Sequence, residues 1–384
     1  MNLFETPQHS EWRAKARNFA ENEVKPQILE LDAKEEFPLS LVKRMGELGF
    51  MGMHIPEVYG GKGSDYLAYI LVVEELARVD SSIAATVAAH NSLGVSPIFE
   101  HGTEEQRKKY LPSLCSGTKL WAFGLTEKNA GSDSQGVETK AEVKDGVWNI
   151  VGSKTFITNG ASEIAGGITI EAITGSKDGK KELSAILVER EITGFSRKPI
   201  KGKLVWRSID NGDLTFDNCK VPESNLLGAR GQGPKIMLKT LDSGRLSIAA
   251  IGLGLAQGAY EMALAHAKKR VQFGKALIEN QSISFKLAEM ATKIEMVRNT
   301  LYHTCKLKEA GKAFGKQAAM IKYFAAEVAR DVASEALQIH GALGFLHENH
   351  IERFYRDQRL LHIGEGTSEI LKMVISRHIQ QEVI

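Results

Sequence analysis

The chain has 384 residues, with 49 basic and 47 acidic side chains, a formal charge of +2, 43% hydrophobic and 25% charged residues. This is a soluble globular composition, long enough for two or three domains. Its scattered lysines and arginines give no concentrated basic face of the kind nucleic acid demands. Three widely spaced cysteines, Cys115, Cys219 and Cys305, point to a reducing compartment and away from a disulfide scaffold or a cysteine metal site. No apolar run approaches about 18 residues, so no membrane-spanning helix is expected. The first stretch carries Glu5 and Glu11 and no apolar signal core, so no secretory leader is expected. The starting Met1 favours an intact chain, although a removed mitochondrial transit segment leaves no trace in such a sequence.

Residues 1–118 read as helices joined by loops. Tyr66 to Val79 has a wide apolar face, Gly60 to Gly63 is a loop, and Thr103 to Gln106 forms a capping box that opens another helix. Residues 119–226 change period. Val143-Lys144-Asp145-Gly146-Val147-Trp148 reads as a hairpin turn, and Leu183–Val188 and Leu214–Phe216 read as strands. Residues 227–384 return to helical period. Of the nine prolines none follows Pro234, as long helices require. Ile283, Leu287, Met290, Ile294, Val297 and Leu301 repeat at alternating steps of four and three, and Ile321, Phe324 and Val328 extend the pattern to the next helix. The order is helical, β, helical: an α+β multidomain chain with a small middle β domain and a C-terminal bundle.

Gly252-Leu253-Gly254-Leu255-Ala256-Gln257-Gly258 has the glycines of a dinucleotide loop without the preceding strand. It reads as helix, with glycines that let neighbouring helices approach. Thr126 to Asp133 is a polar turn able to offer several backbone N–H groups. In Phe156-Ile157-Thr158, strand alternation sets Phe156 and Thr158 on one side and Ile157 on the other. Asp242 and Arg245 share a helix face in a segment expected to open its helix. Glu365 lies between Gly364 and Gly366 just before a last helix; the bland reading is a solvated acid near a helix N-terminus.

Taken together, Trp121 to Asp133, Lys154 to Gly160 and Leu361 to Ile370 resemble the signatures of the acyl-CoA dehydrogenase family. The resemblance covers nearly the whole chain and implies that family's fold, with a β-barrel-like middle domain and a C-terminal four-helix bundle. It implies FAD, with Phe123, Leu125, Thr126, Gly131, Ser132, Phe156, Thr158, Thr367 and Glu369 at the cofactor in one subunit. Arg270, Gln272, Phe273, Gln281, Gln338 and Gly341 would reach the cofactor of a neighbouring subunit in a homotetramer built as a dimer of dimers. His340 reads as packing, and Arg356-Asp357 as an internal ion pair. Ser132, Asp242, Arg245, Glu365 and Gly366 would meet an acyl-CoA substrate, and the segment Leu71 to Asn91 would help to line its acyl pocket. One branch of the family carries its base directly before the arginine equivalent to Arg245; Gly244 stands there, and the other branch's late glutamate is matched by Glu365. The implied reaction is α,β-dehydrogenation of a short-chain acyl-CoA to a trans-2-enoyl-CoA, with electrons passed to an electron-transferring flavoprotein in the cytoplasm. Alternatives are action on a cyclic, aromatic or dicarboxylic acyl-CoA, enoyl-CoA reduction, an acyl-CoA oxidase and a non-catalytic flavoprotein. The sequence departs from the family at Lys128, often proline, at Phe156, usually tryptophan, and at Val205 and Ile209, often glycine and serine.

Overall fold

The computed structural model describes residues 3–382. Helices come first: α1 (Pro7–Phe19), α2 (Ile28–Lys34), α3 (Leu39–Glu47), α4 (Tyr66–Ala77), α5 (Ser81–Ala89), α6 (Ser96–His101) and α7 (Glu104–Cys115). Their starts are written locally. Asp65 accepts the Ala68 N–H at 2.9 Å to begin α4, and Asp80 accepts that of Ile83 at 2.7 Å to begin α5. The expected capping box at Thr103 and Gln106 begins α7. A π-helical turn, His90–Val95, carries α5 into α6. All of α4 is buried, not one face of it. Its Glu74 and Glu75 are admitted because Arg13, Arg17, Arg78 and Arg298 reach them.

Eight strands follow: β1 (Leu120–Gly124), β2 (Lys140–Lys144), β3 (Val147–Thr158), β4 (Ala165–Lys177), β5 (Lys180–Glu189), β6 (Phe195–Pro199), β7 (Asn211–Pro222) and β8 (Leu226–Leu227). They form one sheet in the order β6-β7-β3-β2-β4-β5-β8, with β1 parallel to β4. The β2–β3 hairpin turns at Asp145 and Gly146, both at positive φ, as a two-residue turn of this hand requires. Trp148, Ile150, Ile170 and Phe216 fill its interior; full burial of each such side chain is worth roughly 1.5–3 kcal/mol.

The last region holds α8 (Gly233–Lys269), the hairpin β9 (Val271–Gln272) and β10 (Lys275–Ala276), α9 (Gln281–Glu309), α10 (Gly315–His340), α11 (Ile351–Asp357) and α12 (Ser368–Gln380). α8, α9 and α10 pack on one another and α12 lies on α10, giving the four-helix bundle. The seam from Leu287 to Leu301 is buried as the spacing predicts. On α10 the buried stripe is Ile321, Ala325 and Val328, while Phe324 is 37% exposed; one position of the expected seam is therefore wrong. The glycine-rich run lies inside α8, and its glycines serve close approach. A Cβ at Gly254 would overlap the Glu74 carbonyl, and one at Gly258 the Arg78 carbonyl. α8 is long and apolar enough by composition to cross a membrane, contrary to the sequence expectation. Yet 67% of its most apolar stretch is buried within the protein, as in a core helix.

Candidate active site

The loop Gly364-Glu365-Gly366 leads from α11 into α12. Thr367 caps α12, accepting the Ile370 N–H at 3.3 Å. Glu365 has φ +52° and Gly366 φ +97°, so two successive residues sit in left-handed conformations, which a non-glycine residue holds only when its surroundings impose it. Lys322 of α10, 1% exposed, lies against this turn, and its Nζ donates to the Gly366 carbonyl at 2.6 Å.

The turn aims the Glu365 carboxylate at α8. A Cβ on Gly244 would overlap Oε2 and would come within 3.0 Å of Leu93 Cδ2. The carboxylate thus occupies the space that a side chain at position 244 would claim. The two alternative positions of a base converge on one spot, and only one of them carries an acid. Oε2 is buried with no hydrogen-bond partner among the described residues. Burial pushes the Glu365 pKa up to about 7, with the charges of Lys322 and Arg245 opposing. A solvated surface acid is excluded.

Asp242 and Arg245 are paired at 2.6 Å on one face of α8. They lie several turns inside it, because the helix starts at Gly233 rather than at this segment. Arg245 is 6% exposed, and its Nε is a second buried polar atom without a partner. Tyr66 and Tyr69 of α4 feel the charge of Glu365, which adds to burial in raising both phenols. These tyrosines and Leu93 flank the Leu71–Asn91 segment expected to line the pocket.

The second group of expected residues lies on the β domain. Phe123 lies one residue before the end of β1 at Gly124, and Leu125 and Thr126 follow the strand. The loop is stitched to β3 by Thr155 N–H to the Thr126 carbonyl at 3.0 Å and by Lys154 Nζ to the Leu125 carbonyl at 3.3 Å. Buried Lys154 also pairs with Glu127 at 2.7 Å, and Glu127 accepts the N–H groups of Glu138 and Thr139. At Lys128, where the family often has proline, Glu127 and Ala130 exchange backbone hydrogen bonds. Gly131 has open space where a side chain would be, and Ser132 is exposed. On β3, Ile157 is buried and Phe156, at φ +57°, is 66% exposed, so the expected alternation holds across a local bulge. Thr158 is half-buried, and its Oγ1 accepts from Asn211 Nδ2 at 3.5 Å. An aromatic ring held outward at positive φ, on a strand tied to the loop that carries Gly131, fits a flat cofactor ring. The β domain reaches the Glu365 side of the molecule through α5 and its π turn. Asn159 donates to the Thr86 carbonyl at 3.0 Å, and Gly94 lies against the Trp121 carbonyl.

The third group is elsewhere. Arg270, Gln272, Phe273 and Gln281 surround the β9–β10 hairpin, and Gln338 and Gly341 end α10. Stacking of His266 on His340, ring centres 4.5 Å apart, ties the two ends together. Phe273 is 100% exposed at φ +52°. Helical rise puts Arg270 about 37 Å along α8 from Arg245, and Gln338 about 24 Å along α10 from Lys322. These residues form one cluster that does not meet Glu365 within the same chain. Glu369, in the first turn of α12, is exposed.

Sequence reasoning missed Lys322, although a lysine on the stripe Ala318, Ala325, Ala329 was a visible anomaly. It also misread Arg356-Asp357. Arg356 pairs with Asp32 and Glu352, both at 2.7 Å, while Asp357 accepts the Trp206 N–H at 2.8 Å. Trp206, buried at φ +47°, belongs to the segment that departs from the family. That departure is bonded to the helix leading into the Glu365 loop.

Comparison with known proteins agrees with this geometry. Family models for the acyl-CoA dehydrogenase N-terminal, middle and C-terminal domains match residues 6–118, 122–219 and 231–380. The short-chain specific acyl-CoA dehydrogenase of Clostridium acetobutylicum is 44% identical over 367 residues, covering 96% of each chain. The butyryl-CoA dehydrogenase of Megasphaera elsdenii is 39% identical with TM-score 0.96, covering 99% of this chain and 100% of that one. A chain from the structural work on the electron transferring flavoprotein of Acidaminococcus fermentans is also 39% identical with TM-score 0.96, covering 100% of both. The chain belongs to the acyl-CoA dehydrogenase family and is an FAD-dependent oxidoreductase acting on an acyl-CoA.

Proposed function

We propose that the protein dehydrogenates a short straight or simply branched acyl-CoA, a butyryl-like thioester foremost, with Glu365 as the base. One observation carries the reading: a carboxylate whose Oε2 is buried and unpartnered among the described residues, whose pKa is pushed up to about 7 and which fills the void at Gly244. A carboxylate so poised takes an α proton near neutral pH with more driving force than an ordinary glutamate. The Glu365 backbone N–H faces the role of donor to the thioester carbonyl, where enolate charge develops. Arg245, with its free Nε, and Asp242 hold the CoA-bearing part; Ser132 and Gly366 border it.

FAD, when bound, supplies the acceptor for the β hydride. Phe123, Leu125, Thr126, Gly131, Ser132, Phe156 and Thr158 hold it on the β domain, with Thr367 and Glu369 near its adenosine. Arg270, Gln272, Phe273, Gln281, Gln338 and Gly341 hold the FAD of a neighbouring subunit in a homotetramer. Their distance from Glu365 along α8 and α10, and the bare Phe273 ring, support this assignment. Residues 1–118, 119–226 and 227–384 form the three domains. The likeness to the short-chain and butyryl-CoA relatives supports the substrate. The likeness to the Acidaminococcus chain supports an electron-transferring flavoprotein as acceptor, and the bacterial relatives support a cytoplasmic setting.

A panel of acyl-CoAs of increasing length, scored by bleaching of bound flavin, tests the reading. The highest kcat/KM is expected on butyryl-CoA. A maximum on a long-chain thioester would overturn the substrate assignment.

A further inference from the structure

Lys322 is the one lysine on the buried stripe of α10 described above, and it sits against the catalytic loop. Its ammonium is out of water, a costly placement for a charge without compensation. Compensation comes from the Gly366 carbonyl at 2.6 Å and from the charge of Glu365. Both belong to the same three-residue turn. Among the described residues no other side-chain hydrogen bond fixes the turn's two left-handed residues: Thr367 is spent on capping α12, and Oε2 of Glu365 has no partner.

We propose that Lys322 is the positioning residue of this site: its ammonium, held on the Gly366 carbonyl, fixes the turn that aims the Glu365 carboxylate and sets the pH range over which that carboxylate accepts a proton. The proposal rests on Glu365 being the base. A cation beside a buried carboxylate favours its ionised form. The groups around Glu365 are Lys322 on α10, Arg245 on α8 and the phenols of Tyr66 and Tyr69 on α4; Lys322 itself also faces Glu369 of α12 and Arg245. Arg245 is already engaged by Asp242. Lys322 is bonded to the loop itself, so its loss removes both an anchor and a charge. Burial lowers the Lys322 pKa to about 8, with Glu365 opposing, so the two groups titrate as a coupled pair.

Exchange of α protons with deuterated water on acetyl-CoA isolates this step, because acetyl-CoA has α protons and no β hydrogen to transfer. NMR of the thioester follows the exchange, with flavin-loaded protein. Lys322→Met is expected to move the pH midpoint of exchange upward by about one unit and to slow exchange below it at least tenfold. Lys322→Gln, which keeps a donor for the Gly366 carbonyl, should show the same midpoint shift with a smaller loss of the plateau rate. Lys322→Arg should restore the midpoint. If Lys322→Met does not fold, the shift is read in Lys322→Gln. A midpoint unchanged in the neutral variants, or not restored by arginine, overturns the proposal. Glu365→Gln separates the two levels: exchange that survives in it refutes the base assignment, whereas exchange lost in it and unshifted in the lysine variants refutes only the role of Lys322.

Discussion

Glu75 is a buried carboxylate and Glu365 a half-buried one with its Oε2 out of water, and the molecule treats them oppositely. Glu75 is met by Arg13 at 2.6 Å, Arg17 at 2.9 Å and Arg78 at 3.3 Å. Burial pushes its pKa up, but hydrogen bonds and charges from Arg17 and Arg13 more than offset this and hold it below the usual carboxylate value. Glu365 has one oxygen with no partner and two cations that only partly offset its burial. The first arrangement locks α1 against α4; the second leaves a carboxylate able to take up a proton near neutral pH. A buried charge with a full set of partners reads as structure, and one missing a partner reads as chemistry. Burial without partners is still not sufficient. Glu171, 2% exposed and pushed up to about 7 mainly by burial, also has a bare oxygen. It is sealed within the β domain beside Lys154 and Glu127, whereas Glu365 stands in a half-buried loop.

The contrast is broken most sharply by replacing each acid. Glu365→Gln keeps the size of the side chain and removes proton acceptance. Turnover is expected to fall by about 10²–10⁴-fold, the usual contribution of a positioned base, with bound flavin retained; stopped-flow mixing with butyryl-CoA measures it. Glu75→Gln should do the reverse. It removes one counter-charge from half-buried Arg13 and Arg78 and from exposed Arg17, at a cost of about 1–3 kcal/mol, seen as a lower Tm, while kcat/KM of the folded fraction stays near wild type.

The sharing of one space by residues 244 and 365 gives a smaller effect. Gly244→Ala inserts a methyl group where Oε2 now lies. The carboxylate must swing aside, and a displaced base is expected to cost about 10²-fold in kcat/KM with a small change in Tm. Normal activity in this variant would show that the turn is not held as described.

The smallest effect lies in stability against pH. The folded pKa of Glu365, about 7, is above its unfolded value of about 4.3. Between these values the folded state holds a proton that the unfolded state has lost, so this group makes stability fall as pH rises through that window. Glu365→Gln removes the penalty. The variant should melt higher than wild type at pH 8, by about 1–3 kcal/mol in stability, and the difference should vanish near pH 4. Thermal melts across that range check it.

Much of this was legible in residue order. The cap at Thr103, the Asp145-Gly146 turn, the α9 seam and the helical nature of Gly252–Gly258 each follow from local rules, because each is decided by a few adjacent residues. The candidacy of Glu365 came from a matched segment, and its neighbour Gly244 made sense only beside it. What stayed hidden depends on contacts between distant segments. No spacing rule links Lys322 to Gly366, Arg356 to Asp32, or Asp357 to the Trp206 backbone. Phe324 fits the seam by count but rotates out of it, because small alanines on α10 take the contact with α8.

The most direct test is the pH dependence of α-proton exchange on acetyl-CoA by the wild-type protein. Exchange is expected to rise with pH to a plateau, with a midpoint near 7. A midpoint near 4.3, the value of an ordinary glutamate, or a profile that Glu365→Gln leaves unchanged, would contradict it.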